Sequence, residues 1–76
     1  MEIKKGDKGQ GVVDIQRRLV YLGYSLGPTQ VDGFFAERTE AAVRQFQKDR
    51  NLPLTGIVDE KTWRCLVEST YRLGDR

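Results

Sequence analysis

A short pattern of residues occurs twice in this 76-residue chain, and it strongly constrains the fold. Each copy has a threonine six positions after a glycine and an aliphatic residue ten positions after it. The copies are Gly33, Thr39 and Val43, then Gly56, Thr62 and Leu66. A weaker third copy starts at Gly9, with Ile15 and Leu19 at the same spacings. The repeat period is 24 or 23 residues (33 − 9 and 56 − 33). Units this short cannot bury their own apolar faces, so they must pack on one another.

The apolar spacing predicts one helix in each unit. The predicted helices cover about residues 10–22, 37–50 and 60–70. Gly23 would end the first helix, because glycine readily adopts the left-handed conformation found after a helix. Pro53 would end the second, because proline disfavours helix at the residue before it. Asp59 is three residues before Thr62, the spacing of an N-cap. The sequence therefore predicts an all-α fold, a compact three-helix domain built from pseudo-repeated turn-plus-helix units.

Length and composition fit one small domain. Seventy-six residues, 38% hydrophobic and 32% charged, are typical of a single soluble globular unit. We expect one domain over residues 1–76 with a core of about 6–70. No apolar stretch approaches the roughly 20 residues of a membrane-spanning helix, so we expect no membrane insertion.

The two ends of the chain carry weaker signals. The polar start runs almost at once into the repeat pattern, so we expect no signal peptide. The chain would then be a piece of a longer protein, or its parent would lack a leader. Residues 73–76 (Leu-Gly-Asp-Arg) echo residues 5–8 (Lys-Gly-Asp-Lys), which would be the start of a second copy of the domain.

The residue inventory argues against catalysis. There is no histidine and a single cysteine, Cys65, so no disulfide and no histidine-activated nucleophile can form within the chain. We expect no metal and no cofactor. Several of the eleven acidic residues are assigned to turns or caps, and a domain this small has little room for a water-excluding cleft. The net charge of +2 and the mixing of basic with acidic residues along the helices argue against nucleic acid.

An ordered set of motifs covers roughly residues 6–67. In chain order they are Gly6 and Gly9, Val12-x-x-Ile15-Gln16, Leu19-x-x-Leu22-Gly23-Tyr24, Asp32-Gly33-x-Phe35-Ala36, Thr39-x-x-Ala42-Val43-x-x-Phe46-Gln47, and Thr55-Gly56-x-Val58-Asp59-x-x-Thr62-Trp63-x-x-Leu66. This set resembles the peptidoglycan-binding domain family, the small three-helix module of cell-wall enzymes. The chain departs from the family pattern at Ala36, where glycine is usual, and at Ile15, where leucine is usual.

The resemblance implies a function in the bacterial cell wall. It implies a non-catalytic, monomeric module that binds a peptidoglycan glycan or stem peptide and targets an attached hydrolase, an amidase or similar wall-lytic enzyme. The expected location is extracytoplasmic. The alternative is a protein–protein adaptor, which could be cytoplasmic if Met1 is the native start. That alternative would use arginines spread over the helices, namely Arg17, Arg18, Arg44 and Arg50.

Four residues are candidate ligand contacts: Tyr24, Asp32, Phe34 and Arg38. Aromatic side chains pack on the apolar faces of sugar rings, and arginine holds carboxylates such as those of stem peptides. Each candidate also has a structural interpretation. Asp32 can be a turn former, and the Tyr24 hydroxyl needs a polar partner. Arg38 can be a solvated residue near the start of the second predicted helix. Phe34 has Ile57 as its counterpart in the repeat.

Other repeated residues are assigned to the fold. Gln16 and Gln47 each follow an inward apolar residue, and we expect their side chains to hold loop carbonyls. Phe35 and Trp63 are predicted to lie in the core.

Overall fold

Three α-helices account for the regular structure. The computed structural model describes residues 2–28 and 31–71. Within those ranges the helices are α1 (Gln10–Tyr21), α2 (Glu37–Asp49) and α3 (Glu60–Ser69). Each begins at the predicted residue and ends one residue earlier than predicted, which confirms the all-α, three-helix fold. The possible second copy at 73–76 lies outside the described residues.

The first two helices end in the same way. Gly23 after α1 and Asn51 after α2 both have positive φ, 98° and 59°. The next residue then bonds back into the helix: Tyr24 N donates to Leu19 O at 3.0 Å, and Leu52 N to Gln47 O at 2.8 Å. These bonds satisfy carbonyls that would otherwise lack partners, the arrangement known as a Schellman motif. The end of α2 is therefore set at Asn51, before Pro53 is reached.

The three helices start differently. Asp59 caps α3 as predicted, accepting a hydrogen bond from Thr62 N at 2.9 Å. Gly9 and Ala36, before α1 and α2, make no side-chain cap bond. In addition, α2 and α3 begin four residues after Gly33 and Gly56, whereas α1 begins directly after Gly9. The first unit is thus a looser copy of the other two.

The core lies where α1 packs against both other helices. Its buried apolar residues come from all three helices and from the turns between them, and they are Val12, Ile15, Leu19, Leu26, Phe35, Ala42, Val43, Phe46, Val58 and Leu66. Phe35 is fully buried, as predicted. Trp63 is only partly buried. It packs against the core, and the Arg18 guanidinium lies 5.3 Å from the centre of its ring.

The N-terminal segment pairs with both glycine turns, here called the first turn (residues 32–36) and the second turn (residues 55–59). Ile3 and Val58 exchange two backbone hydrogen bonds, of 3.0 and 2.8 Å. Phe35 N donates to Asp7 O at 2.8 Å, and Gly9 N donates to Gly33 O at 2.9 Å. This segment therefore fixes the position of the two turns relative to each other.

Candidate ligand-binding surface

A hollow of about 520 Å³ lies between the first turn and the start of α2. Three of the four predicted site residues line it, namely Asp32, Phe34 and Arg38. Lys5 and Leu26, which the sequence did not single out, line it as well. Tyr24 is not among its lining residues. The structure therefore brings three of the four candidates together.

Phe34 stands between this first hollow and a second hollow. Its side chain is 46% exposed, whereas the next residue, Phe35, is fully buried. The second hollow, about 450 Å³, is also lined by Lys8, which precedes α1, and by Val13 in the first turn of that helix. Both hollows share Asp32 and Phe34. Together they are called the Phe34 groove below.

Gln16 holds the first turn in place. Its Oε1 accepts a hydrogen bond from Gly33 N at 2.8 Å. Its Nε2 lies 3.0 Å from Asp32 Oδ1, 3.1 Å from Phe34 O and 3.0 Å from Thr39 Oγ1. Asp32 Oδ1 also accepts from Phe34 N at 3.0 Å, which confirms Asp32 as a turn former. The backbone that carries Phe34 is thus fixed from both sides.

Gln47 holds the second turn in the same way. Its Oε1 accepts from Gly56 N at 3.0 Å, and its Nε2 lies 3.1 Å from Ile57 O and from Thr62 Oγ1. Both glutamines thus hold loop carbonyls, as the sequence predicted. At the second turn Ile57 replaces Phe34, so this turn presents no aromatic ring.

Arg38 lies over the backbone of Gly27. A Cβ atom placed on Gly27 would overlap Arg38 Nη1 and lie 2.5 Å from Arg38 Cδ. Gly27 also has a positive φ of 86°. In the described part of the chain no carboxylate forms an ion pair with Arg38, whereas neighbouring Glu37 pairs with Lys5 at 3.5 Å.

Tyr24 has partners inside the protein. Its hydroxyl donates to Asp49 Oδ2 at 2.5 Å, and its ring meets the Phe46 ring edge-on, with 6.1 Å between centroids. Burial, followed by the hydrogen bond and the charge of Asp49, raises the pKa of Tyr24 to about 12. The same hydrogen bond lowers the pKa of Asp49. The polar partner that this hydroxyl requires is therefore Asp49.

Over residues 2–28 and 31–71, no group of three or more histidine, cysteine, aspartate or glutamate side chains could hold a metal ion. Cys65 is an unpaired, partly buried thiol. Among the described helices, none has the length and apolar character needed to cross a membrane.

Residues 8–66 match the model of the family described as "Putative peptidoglycan binding domain". The chain belongs to this family. The match confirms the resemblance seen in the motifs, and it places the chain in a family of binding domains, as predicted.

Proteins similar to this member of the family include wall-lytic enzymes. The chain is 40% identical to the spore cortex-lytic enzyme of Bacillus cereus over 90% of its own length and 26% of that protein. It is 35% identical to the N-acetylmuramoyl-L-alanine amidase CwlM of Mycobacterium tuberculosis, over 97% of this chain and 20% of that protein. The chain thus spans about a quarter of the length of such curated relatives.

A solved structure has nearly the same extent as this chain. It is the crystal structure of the SleB N-terminal domain, with a TM-score of 0.86 and 38% identity. The superposition covers 92% of this chain and 93% of that domain. The chain is therefore a peptidoglycan-binding domain, homologous to binding modules that are attached to hydrolases.

Proposed function

We propose that this domain holds an attached wall-lytic enzyme on peptidoglycan, and that the Phe34 groove makes the contact. The main support for this site is the exposure of the Phe34 side chain. This large aromatic side chain remains 46% exposed on a turn fixed by Gln16. An exposed ring on a fixed turn between two hollows is suited to recognition, because little backbone freedom is lost on binding.

Two kinds of contact suit the groove. The ring of Phe34 can pack on the apolar face of a sugar. The Arg38 guanidinium can hold a carboxylate of a stem peptide through two parallel hydrogen bonds. Asp32 supports the turn and also lines the hollow, so it is retained as a contact. Tyr24 is retained in the proposal only as an indirect contributor, since its ring and hydroxyl contact α2.

The attachment and location are proposed from the relatives. Because the similar proteins include a cortex-lytic enzyme and an amidase, we propose that the parent protein carries a hydrolase of this kind and acts outside the cytoplasm. We further propose that the domain is monomeric and binds neither nucleic acid nor membrane. The domain alone should release no reducing sugars or free amines from purified wall material.

Co-sedimentation with insoluble peptidoglycan tests the function. We expect the folded domain to pellet with the wall material and to do so less in high salt, because exposed ion pairs are screened over about 8 Å at physiological ionic strength. Some binding should persist, because packing between a ring and a sugar is not screened. Arg38→Ala should remove mainly the salt-sensitive part.

A matched pair of variants tests the site. Phe34→Ala should lower the pelleted fraction, and Leu54→Ala should not, although Leu54 is also an exposed apolar side chain, at 56%. Circular dichroism would verify that both variants fold. If the folded wild-type domain stays entirely in the supernatant at low salt, wall binding is ruled out for this domain. The protein-adaptor function would then become the leading hypothesis.

A further inference from the structure

Two basic and two acidic side chains line the first hollow, Lys5 and Arg38 together with Asp32 and Glu37. Lys5 and Glu37 form an ion pair, with 3.5 Å between Nζ and Oε2. Asp32 accepts hydrogen bonds from Gln16 Nε2 and Phe34 N. Arg38 makes no ion pair with any described carboxylate. The hollow therefore presents one guanidinium that has no ion-pair partner within the described part of the protein.

The position of Arg38 depends on Gly27. The side chain crosses the Gly27 backbone at a distance that any Cβ atom would prevent. This contact places a planar group with several N–H donors at the edge of the hollow that Phe34 also lines. A carboxylate matches the geometry of such a planar, forked donor, since it can accept two parallel hydrogen bonds.

The second hollow has a cation of its own. Lys8 lines it on the other side of Phe34 and forms no ion pair among the described residues. Asp32 lines this hollow as well. The Phe34 groove thus has at least one basic residue in each hollow, and its three basic and two acidic residues give a formal charge of +1. A neutral glycan would offer these cations only uncharged acceptors, whereas a peptide with acidic groups would form stronger, charge-assisted hydrogen bonds with Arg38 and be attracted by Lys8.

We infer that the Phe34 groove selects a free carboxylate on the peptide arm of peptidoglycan over the neutral glycan. Arg38 is the selecting residue, and Gly27 is a positioning residue that allows Arg38 to lie where it does. This inference rests on the proposed function, since it specifies the ligand of the same groove.

Isothermal titration calorimetry with three probes tests the inference. The probes are a synthetic stem peptide with free carboxylates, the same peptide with every carboxylate amidated, and a neutral N-acetylglucosamine oligomer. We expect the free-carboxylate peptide to bind about tenfold more tightly than the amidated peptide, because a tenfold difference in affinity corresponds to about one charge-assisted hydrogen bond. In Arg38→Gln the two peptides should bind with nearly equal affinity.

Two glycine variants test the role of Gly27. Gly27→Ala and Gly23→Ala both place a side chain at a strongly positive φ, 86° and 98°. A Cβ on Gly23 has no neighbouring atom within 4 Å, so that variant carries only the backbone strain. The affinity for the free-carboxylate peptide, divided by the affinity for the amidated peptide, should therefore fall in Gly27→Ala. The same ratio should be unchanged in Gly23→Ala. Equal affinity ratios in the two variants would show that Gly27 does not position Arg38.

The inference and the proposed function can fail separately. The inference is overturned if the oligomer binds as tightly as the free-carboxylate peptide, if Arg38→Gln retains the preference, or if no probe binds a domain that still pellets with wall material. Wall binding itself would stand in each of these cases. A domain that does not pellet would instead overturn the proposed function.

Discussion

The side-chain amide of Gln16 lies 3.0 Å from the hydroxyl of Thr39, 23 residues further along the chain. This hydrogen bond ties the middle of α1 to the first turn of α2, across the turn that carries Phe34. Gln47 and Thr62 repeat it between α2 and α3, at 3.1 Å. The repeated threonine thus lies six residues after the repeated glycine because one glutamine bonds both residues.

These polar contacts occur inside the protein, where they are hard to replace. Gln16 and Gln47 are each 1% exposed. Within residues 2–28 and 31–71, every buried side-chain nitrogen and oxygen has a hydrogen-bond partner. Removing one glutamine leaves several buried polar groups without a partner at once. Each such group is costly, so the loss of stability should be large.

Gln47→Ala should destabilise the domain severely. It leaves Gly56 N–H and the Thr62 hydroxyl without their partner, at a cost of about 1–3 kcal/mol for each group. Domains of this kind have about 5–10 kcal/mol in total. Urea denaturation would measure the loss. The control is Gln45→Ala, an exposed glutamine of the same helix, which should change stability by less than about 0.5 kcal/mol. Similar losses for the two variants would contradict the structural role of Gln47.

Phe46→Ala and Leu19→Ala test the packing of the core. Both side chains are at most 1% exposed, on α2 and α1. We expect losses of about 3–5 kcal/mol for Phe46→Ala and about 2–5 kcal/mol for Leu19→Ala, from lost burial and the cavity left behind. Thermal melting followed by circular dichroism would report both. An unchanged melting temperature for Phe46→Ala would show that the inward face of α2 is misassigned.

Stability should fall at alkaline pH through Tyr24. Its pKa is raised in the folded protein to about 12, above the value of about 10 in an unfolded chain. The protonated hydroxyl therefore contributes stability that is fully present below about pH 10 and is lost as pH rises through about 12. Chemical denaturation across this range would measure the decline. Tyr24→Phe should lower stability at neutral pH and show a smaller decline, and an equal decline in both proteins would contradict the assignment.

The cap of α3 should give the opposite pH dependence. A hydrogen bond from Thr62 N lowers the pKa of Asp59, so the cap contributes stability above the unfolded value of about 4 and loses it as pH falls through the folded value. Asp59→Ala should cost about 1 kcal/mol at neutral pH. The difference from wild type should shrink in acid, as measured by urea midpoints at several pH values. A difference that is constant with pH would show that the Asp59 charge does not contribute.

Local sequence signals were enough to predict the helices. Helical spacing, Gly23 and the Asp59 cap act within a few residues, and each has the predicted effect. The end of α2 was attributed to Pro53 because its effect on the preceding residue is strong. Asn51 adopts the left-handed conformation first, and this depends on a bond between Leu52 and Gln47 that spacing alone does not reveal.

The groove was only partly predictable. Phe34 on the first turn and Arg38 on α2 were proposed as contacts because recognition requires their chemistry, and they are close in sequence. Lys5 and Lys8 reach the groove because the N-terminal segment pairs with the first turn, a contact between distant residues. Tyr24 was included for its aromatic ring, but its position after Gly23 directs the ring toward Phe46.

The duplication of the turns permits one direct test of the central claim that the Phe34 groove contacts peptidoglycan. Soluble fragments from a muramidase digest of the wall would be titrated into the isotope-labelled domain, and the amide chemical shifts followed by NMR. Shift changes should concentrate at residues 5–9 and 32–39, while the second turn, residues 55–59, should serve as the internal control and change little. Changes centred on the second turn, or spread evenly over both turns, would contradict the account.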